Sequence, residues 1–209
     1  MTSMFRRTFL TGALALSLAV SALPSAVRAD DDAPRKFIEG LADQAIVNVA
    51  DQNISETERD ARFRTLFVNS FDIPEIGKSV LARFWRTATP DQQQEFVKLF
   101  EDMTVLTWAK RFKTYNGEKL ETLSSNHEGE KLWTVDTRLK RAQGQPIPVQ
   151  WRLRETTQGL RIIDIVVEGV SMAITYRQDY TAALQGNGGK VDQLLITMRT
   201  KVDQLKATN

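Results

Sequence analysis

Lys131-Leu132-Trp133-Thr134-Val135-Asp136-Thr137-Arg138-Leu139-Lys140-Arg141 and Ile147-Pro148-Val149-Gln150-Trp151-Arg152-Leu153-Arg154 decide the fold class. In the first stretch Trp133, Val135, Thr137 and Leu139 alternate with Asp136, Arg138 and Lys140. In the second, Ile147, Val149, Trp151 and Leu153 alternate with Gln150, Arg152 and Arg154. Successive side chains of an extended chain point to opposite sides, so this period of two predicts strands with one buried face. Gln143-Gly144-Gln145-Pro146 between them reads as a hairpin connection. Leu160 to Glu168 is apolar at both parities apart from Asp164, which predicts a central or doubly covered strand. With a short strand over Leu120 to Ser124, four consecutive strands predict one antiparallel sheet.

Before the sheet the period is helical. Ala33-Pro34 opens a segment with Phe37, Leu41, Ala45 and Val49 on one face. Ser55 and Glu58 form a capping box ahead of Phe63, Leu66, Phe67 and Phe71. Asp72 and Pro74 start a third helix bearing Ile76, Val80, Phe84 and Trp85. Thr89, Pro90 and Gln92 start a fourth that runs to about Tyr115 and ends at Asn116-Gly117. Its apolar arc is wide: Phe96, Leu99, Phe100, Met103 and Leu106 on one side, Val105, Trp108, Ala109 and Phe112 on another, as in a helix covered on several sides. After the sheet, one helix carries Tyr176, Tyr180 and Leu184, Gln185-Gly186-Asn187-Gly188-Gly189 breaks it, and Val191, Leu194, Leu195, Met198 and Val202 mark the last. The fold class is therefore α+β by segregation. Residues 30–209 form a single domain, with helices about 34–115, a sheet about 118–168 and helices about 172–205.

The chain has 209 residues, no cysteine and a single histidine, His127. Disulfides, a cysteine nucleophile and thiolate zinc sites are thereby excluded, as is a two-histidine metal site within one chain. Residues 1–29 read as a cleaved export signal: Arg6 and Arg7 precede an apolar run from Leu10 to Leu23, and cleavage is expected after Ala29. Arg6-Arg7-Thr8-Phe9-Leu10 fits a general secretory and a twin-arginine signal equally well. Losing this segment removes three arginines and no acid. The formal +2 then becomes 25 basic against 26 acidic side chains. A nucleic-acid partner, which needs a net basic surface, is not expected.

Little in the chain suits bond-making chemistry. Gly186-Asn187-Gly188-Gly189-Lys190 lacks the spacing of a phosphate loop and follows a helix, so it reads as a helix-breaking turn. His127 sits in the polar run Ser125-Asn126-His127-Glu128-Gly129, read as a solvated turn. Asp164 and Glu168 lie about 13 Å apart along one strand, too far for a carboxylate pair acting on one bond. More telling is the aromatic supply, with Trp133 and Trp151 pointing in from the sheet and Phe84, Trp85, Phe96, Phe100, Trp108 and Phe112 from the helices. These residues fit either a filled core or a lined apolar cavity. On the sheet's polar face Arg138, Lys140, Arg152 and Arg154, with Arg161 nearby, fit either a solvated face or a surface that docks an acidic partner or anionic headgroups.

Taken in order, several motifs resemble the MlaC (toluene-tolerance) family of periplasmic phospholipid-binding proteins. Phe71-Asp72-Ile73-Pro74 precedes Val80-Leu81-Ala82-Arg83-Phe84-Trp85, and Thr89-Pro90-Asp91-Gln92-Gln93-Gln94-Glu95-Phe96 opens the long helix, which ends near Tyr115-Asn116-Gly117-Glu118. Val149-Gln150-Trp151-Arg152-Leu153 leads on to Asp164-Ile165-Val166-Val167-Glu168-Gly169-Val170-Ser171-Met172 and then Tyr176-Arg177. Glu168 to Met172 followed by Tyr176-Arg177 is the most specific piece. The likeness runs from about Phe37 to Leu205; one departure is Leu81-Ala82, where the family often has Leu-Gly.

The resemblance implies a four-stranded antiparallel sheet packed on a helical lobe, an NTF2-like cone around an apolar lipid cavity. It also implies a soluble periplasmic carrier, an auxiliary component of an ABC-type system, that shuttles phospholipid between an inner-membrane transporter complex and an outer-membrane lipoprotein/porin complex. Phospholipid would be cargo rather than cofactor, with no metal, no catalytic residue, and a monomeric protein. Phe84, Trp85, Phe100, Met103, Val135, Trp151, Ile165, Val167 and Tyr176 are the expected cavity lining, and Arg138, Lys140, Arg152 and Arg154 the expected docking residues. Burying about fifteen methylenes is worth roughly 12 kcal/mol, so a carrier's interior must match the apolarity of the bilayer it empties. The alternatives are a hopanoid-associated member of the same family, an exported enzyme on a similar cone using Asp164 or His127 as base, and a structural adaptor with a filled core.

Overall fold

Each capping signal in the sequence falls at a helix start in the computed structural model, which describes residues 32–207; the expected export segment lies outside them. Helices α1 (Ala33–Asn48), α2 (Glu56–Ser70), α3 (Ile73–Leu81) and α4 (Pro90–Phe112) come first. Strands β1 (Lys119–Gly129), β2 (Leu132–Lys140), β3 (Ile147–Thr156), β4 (Gly159–Val167) and β5 (Val170–Ser171) follow, then α5 (Met172–Gly186) and α6 (Val191–Ala207). At α4 the box is complete: Gln92 N donates to Thr89 Oγ1 at 3.3 Å and Thr89 N to Gln92 Oε1 at 2.9 Å. At α2 half of it forms. Ser55 Oγ accepts from Glu58 N at 3.1 Å, while the Glu58 carboxylate is taken by Arg62 Nη2 at 2.6 Å.

All strand pairs are antiparallel, in the order β1-β2-β3-β4-β5. The sheet thus has five strands, not the expected four; β5 is two residues long and too short to show a period. Strand β1 runs on to Gly129, so His127 lies in a strand and not in a turn, paired with Trp133. A register shift leaves Leu123 unpaired and breaks the alternation that marks the other strands, which is why its sequence signal stops at Ser124.

A second shift explains β4. Leu153 pairs with Ile162 and Arg152 with Asp164, so Ile163 is the extra residue of a bulge. Ile162 therefore shares the inner face with Ile165 and Val167 despite the opposite parity, and the strand reads as apolar on both faces. It is not central: its far edge meets β5 and an isolated parallel bridge from Ile162 to Phe71, with Asp72 N donating to Ile162 O at 2.9 Å. A further difference is at α3, which stops at Leu81. Phe84 and Trp85 stand on a separate 3-10 turn, Ala82–Arg86, entered through Ala82 at φ 52°.

The buried side chains form two apolar cores. One lies among the helices, around Val80, Leu81, Phe96, Val105, Leu184 and Leu195. The other lies between α1 and the inner sheet face, around Ile38, Trp133, Val135, Leu153 and Ile162. Phe71 packs against both. The long α4 gives Phe96, Leu99, Phe100, Val105 and Leu106 to the first and packs chiefly on α6, α2 and α3. Its one buried acid, Asp102, is held by Arg64 Nη2 at 2.8 Å and Lys98 Nζ at 2.9 Å.

Candidate functional site

The nine expected lining residues divide between the two cores. Phe84, Trp85, Phe100, Met103 and Tyr176 go to the helical core; Val135, Trp151 and Ile165 go to the sheet core. Val167 pairs with Val149 on the inner sheet face. Phe100 and Val135 are fully inside, whereas the other seven are half-buried. Along the inner sheet face Leu153 and Ile162 are sealed, while Trp151, Ile165 and Val167 keep part of their surface exposed. The outcome is a seam, with half-buried apolar groups on both cores and Phe71 spanning them.

Local packing fixes these side chains. The Tyr176 ring stands edge-on to Phe100 at 5.7 Å, and its hydroxyl accepts from Trp108 Nε1 at 3.4 Å. Tyr180 packs on Phe96 at 5.3 Å, and burial raises its phenol above the usual tyrosine range. Trp151 Nε1 donates to Thr137 Oγ1 at 3.0 Å, which itself donates to Val149 O at 2.8 Å, so the indole's polar edge is satisfied within the sheet. Two inner-face hydroxyls, Thr122 Oγ1 and Ser125 Oγ, are buried without a partner among the described residues. Phe71, Trp108 and Tyr180 were not among the expected lining; the pattern placed them on helix faces but not what lies opposite.

Two open clefts lie elsewhere. One, of about 530 Å³, is bounded by Arg83, Phe84, Arg86, Thr87 and Gly189. The other, of about 330 Å³, crosses the sheet near Leu132, Thr134, Gln150, Arg152 and Ile163. Of the nine expected lining residues only Phe84 borders either cleft.

The four expected docking cations are each matched by a carboxylate of this chain. Glu121 pairs with Arg138 at 2.6 Å and Lys140 at 3.0 Å, and the hydrogen bond from Lys140, then that from Arg138, holds its carboxyl below the usual range. Arg152 pairs with Asp164 at 3.2 Å and Arg154 with Asp72 at 2.7 Å. The expected excess of positive charge on this face is therefore offset within the fold.

The residues weighed for catalysis have structural partners. Asp164, 9% exposed, accepts from Ser171 Oγ at 2.6 Å, Ala173 N at 3.0 Å and Arg152 Nη1 at 3.2 Å. With Ser171, which caps Ile174 N at 3.1 Å, it fastens the start of α5 to the sheet. His127 is exposed, with its ring 4.3 Å from Trp133. Gly186 ends α5, and Gly188 and Gly189 take φ 65° and 77° to turn the chain into α6. Among the described residues no cluster of three acids or histidines stands ready for a metal, and no helix is long and apolar enough to cross a membrane.

Comparison with known proteins agrees with this architecture. A phospholipid-binding protein from Ralstonia solanacearum, solved in complex with a phospholipid, has the same fold: TM-score 0.74, 18% identity, covering 82% of this chain and 97% of that one. The toluene tolerance protein ttg2D of Pseudomonas putida is 23% identical over 125 residues, 59% of this chain and 58% of that protein, so this match spans less than two thirds of the relative. The intermembrane phospholipid transport system binding protein MlaC of Haemophilus influenzae is 21% identical over 183 residues, 83% of this chain and 84% of that protein. The model of the MlaC protein family matches residues 39–200, from within α1 through the whole sheet and into α6, and the chain belongs to that family.

Proposed function

We propose that this protein is a periplasmic phospholipid carrier that takes acyl chains into the seam between its two cores. It shuttles them between an inner-membrane transporter and the outer membrane. The observation that carries the reading is the division of the apolar interior. A domain of this size ordinarily has one contiguous core, whereas here two cores share Phe71 and keep half-buried groups such as Met103, Tyr176, Trp151 and Ile165. Parting apolar surfaces along such a seam leaves the sheet ladder and the helical hydrogen bonds intact. The entering chains then replace protein–protein contact with protein–lipid contact, so loading and release stay near balance. Partners set the direction.

Family membership and a neighbour of this fold solved with phospholipid support the reading. Partner contact through Arg138, Lys140, Arg152 and Arg154 belongs to the same proposal; since each is already paired, a partner would meet alternating charge rather than a positive field. The test is lipid extraction and mass analysis of gently purified protein, with uptake from liposomes. Bound phospholipid is expected. A hopanoid-type lipid alone would move the protein to the other branch of the family, and no lipid with no uptake would favour an adaptor with a filled core.

A further inference from the structure

Two surface arginines at the cleft on the 3-10 turn have no counter-charge. Arg59, Arg141, Arg161 and Arg177 donate to carbonyl or hydroxyl oxygens of this chain, and Arg111 stacks on Trp108. Arg35, Arg62, Arg64, Arg138, Arg152, Arg154 and Arg199 each face a carboxylate within 4.0 Å. Arg83 and Arg86 face none among the described residues, and both are exposed. The Arg83 guanidinium lies over the face of Phe84, 4.8 Å from the ring centroid. Phe84 forms an apolar wall of the 530 Å³ cleft between the two arginines, and Gly189 closes the other side. A Cβ built on Gly189 would lie 3.6 Å from the Phe84 ring, so a bulkier residue there would fill the space. Lys190, also exposed and with no carboxylate within 4.0 Å among the described residues, follows directly in the chain.

We infer that this cleft docks the protein onto an anionic membrane surface by binding the phosphodiester of a bilayer phospholipid. Guanidinium forks match phosphate oxygens two at a time, and the Phe84 face suits the glycerol and first methylenes behind the phosphate. The cleft, about 530 Å³ and bordered by five residues, has room for a headgroup. It is also open, so one phosphate is held weakly, and such a grip is useful where a surface presents many. With the chain's remaining charge close to balanced, overall attraction to an anionic bilayer is small and a local site must supply it. The cleft shares only Phe84 with the expected cargo lining, and the inference stands without the seam.

Flotation with vesicles of phosphatidylglycerol and phosphatidylcholine, against phosphatidylcholine alone, at low salt, tests it. Binding to the anionic vesicles is expected, with none to the neutral ones. At roughly fivefold in partitioning per basic residue near such a surface, Arg83→Glu with Arg86→Glu should lower binding by about 25-fold or more, with the thermal midpoint and any co-purified lipid unchanged. Lys201→Glu with Lys206→Glu, an equal charge change on exposed α6 positions, should have little effect. Absence of wild-type binding, or equal loss from the two double variants, overturns the inference. Binding of an acidic peptide in place of vesicles also overturns it, in favour of a protein partner. Should the double variant unfold, Arg86→Ala, with about a fivefold loss, carries the same test. Because cargo is measured separately, an empty seam and failed docking give different results.

Discussion

The Arg154 guanidinium lies 2.7 Å from the Asp72 carboxylate, which also caps α3 by accepting from Glu75 N at 3.2 Å. One side chain of β3 is thereby tied to the first turn of a helix in the other core. Arg154→Glu would set a third negative charge beside Asp72 and Glu75. Allowing for its partial exposure, the change is expected to cost about 1–2 kcal/mol, read as a lower urea midpoint at unchanged slope. A midpoint equal to that of the wild type would show that the pair adds nothing to the joint between sheet and helices.

Asp164 offers a sharper case because it is buried and receives three donors. Asp164→Ala leaves the Ser171 hydroxyl, the Ala173 amide and the Arg152 guanidinium without their acceptor. A loss of about 2–4 kcal/mol is expected, whereas Asp164→Asn, which keeps an acceptor, should lose less. If either variant keeps full stability yet abolishes a cell-envelope function, a catalytic role for Asp164 returns.

Adjacent residues of β4 separate seam from core. Ile162 is sealed against Leu153, while Ile165 is half-buried beside Trp151. Ile162→Glu is expected to unfold the protein, because an unpaired charge in that position has no solvent. Ile165→Glu should remain folded, with a modest drop in thermal midpoint, and lose co-purified lipid. Retention of normal lipid by folded Ile165→Glu would move the cargo away from this seam.

These residues also show what the sequence could and could not reveal. Strands β2 and β3 were legible because nothing interrupts their period of two. The two-faced signal of β4 arose from the bulge at Ile163, which moves residues of both parities to one face, and the same signal in an unbulged strand would mean a central position. Phe84 looked helical because it continues the spacing of Ile76 and Val80, while the break at Ala82 is a dihedral angle that alanine does not announce. The sequence leaves the basic stripe open between a solvated face and a docking surface, because pairing with Asp72, Asp164 and Glu121 depends on register and on contacts between distant elements. Likewise, periodicity told which side chains point inward but not whether another element closes over them.

Three surface carboxylates are held ionised by cations on other elements. Glu95 is lowered by the hydrogen bond from Arg199, which joins α4 to α6; Glu56 by that from Lys113; and Glu121 by those from Lys140 and Arg138. A carboxyl whose folded pKa lies below its unfolded value, about 4.3 for glutamate, stabilises the fold above that pH. The contribution is lost as pH falls through the lowered value. The thermal midpoint should therefore decline on acidification below about pH 4.3, and Glu95→Gln should flatten part of that decline. High salt should shrink the difference between variant and wild type, since the pairs are exposed. A difference that is constant from pH 7 to 3 would show that Glu95 acts through packing rather than charge.

Ala82 takes φ 52° and ψ −124°, a region that glycine enters freely and a residue with a Cβ does not. The strain is worth about 1–3 kcal/mol, set against about 0.5–1 kcal/mol for the extra freedom glycine brings to the unfolded chain. Ala82→Gly is therefore expected to raise stability by roughly 0.5–2 kcal/mol, a few degrees in thermal midpoint for a domain of this size, and Ala82→Val to lower it. The turn matters beyond stability, because Ala82 opens the 3-10 turn that carries Arg83, Phe84 and Arg86 to their cleft. Relieving the strain with glycine should leave vesicle binding intact, whereas Ala82→Val should weaken it together with stability. A lower midpoint for the glycine variant would show that the turn is held by its neighbours at no cost to Ala82, and would remove strain from the account of how Arg83 and Arg86 are placed.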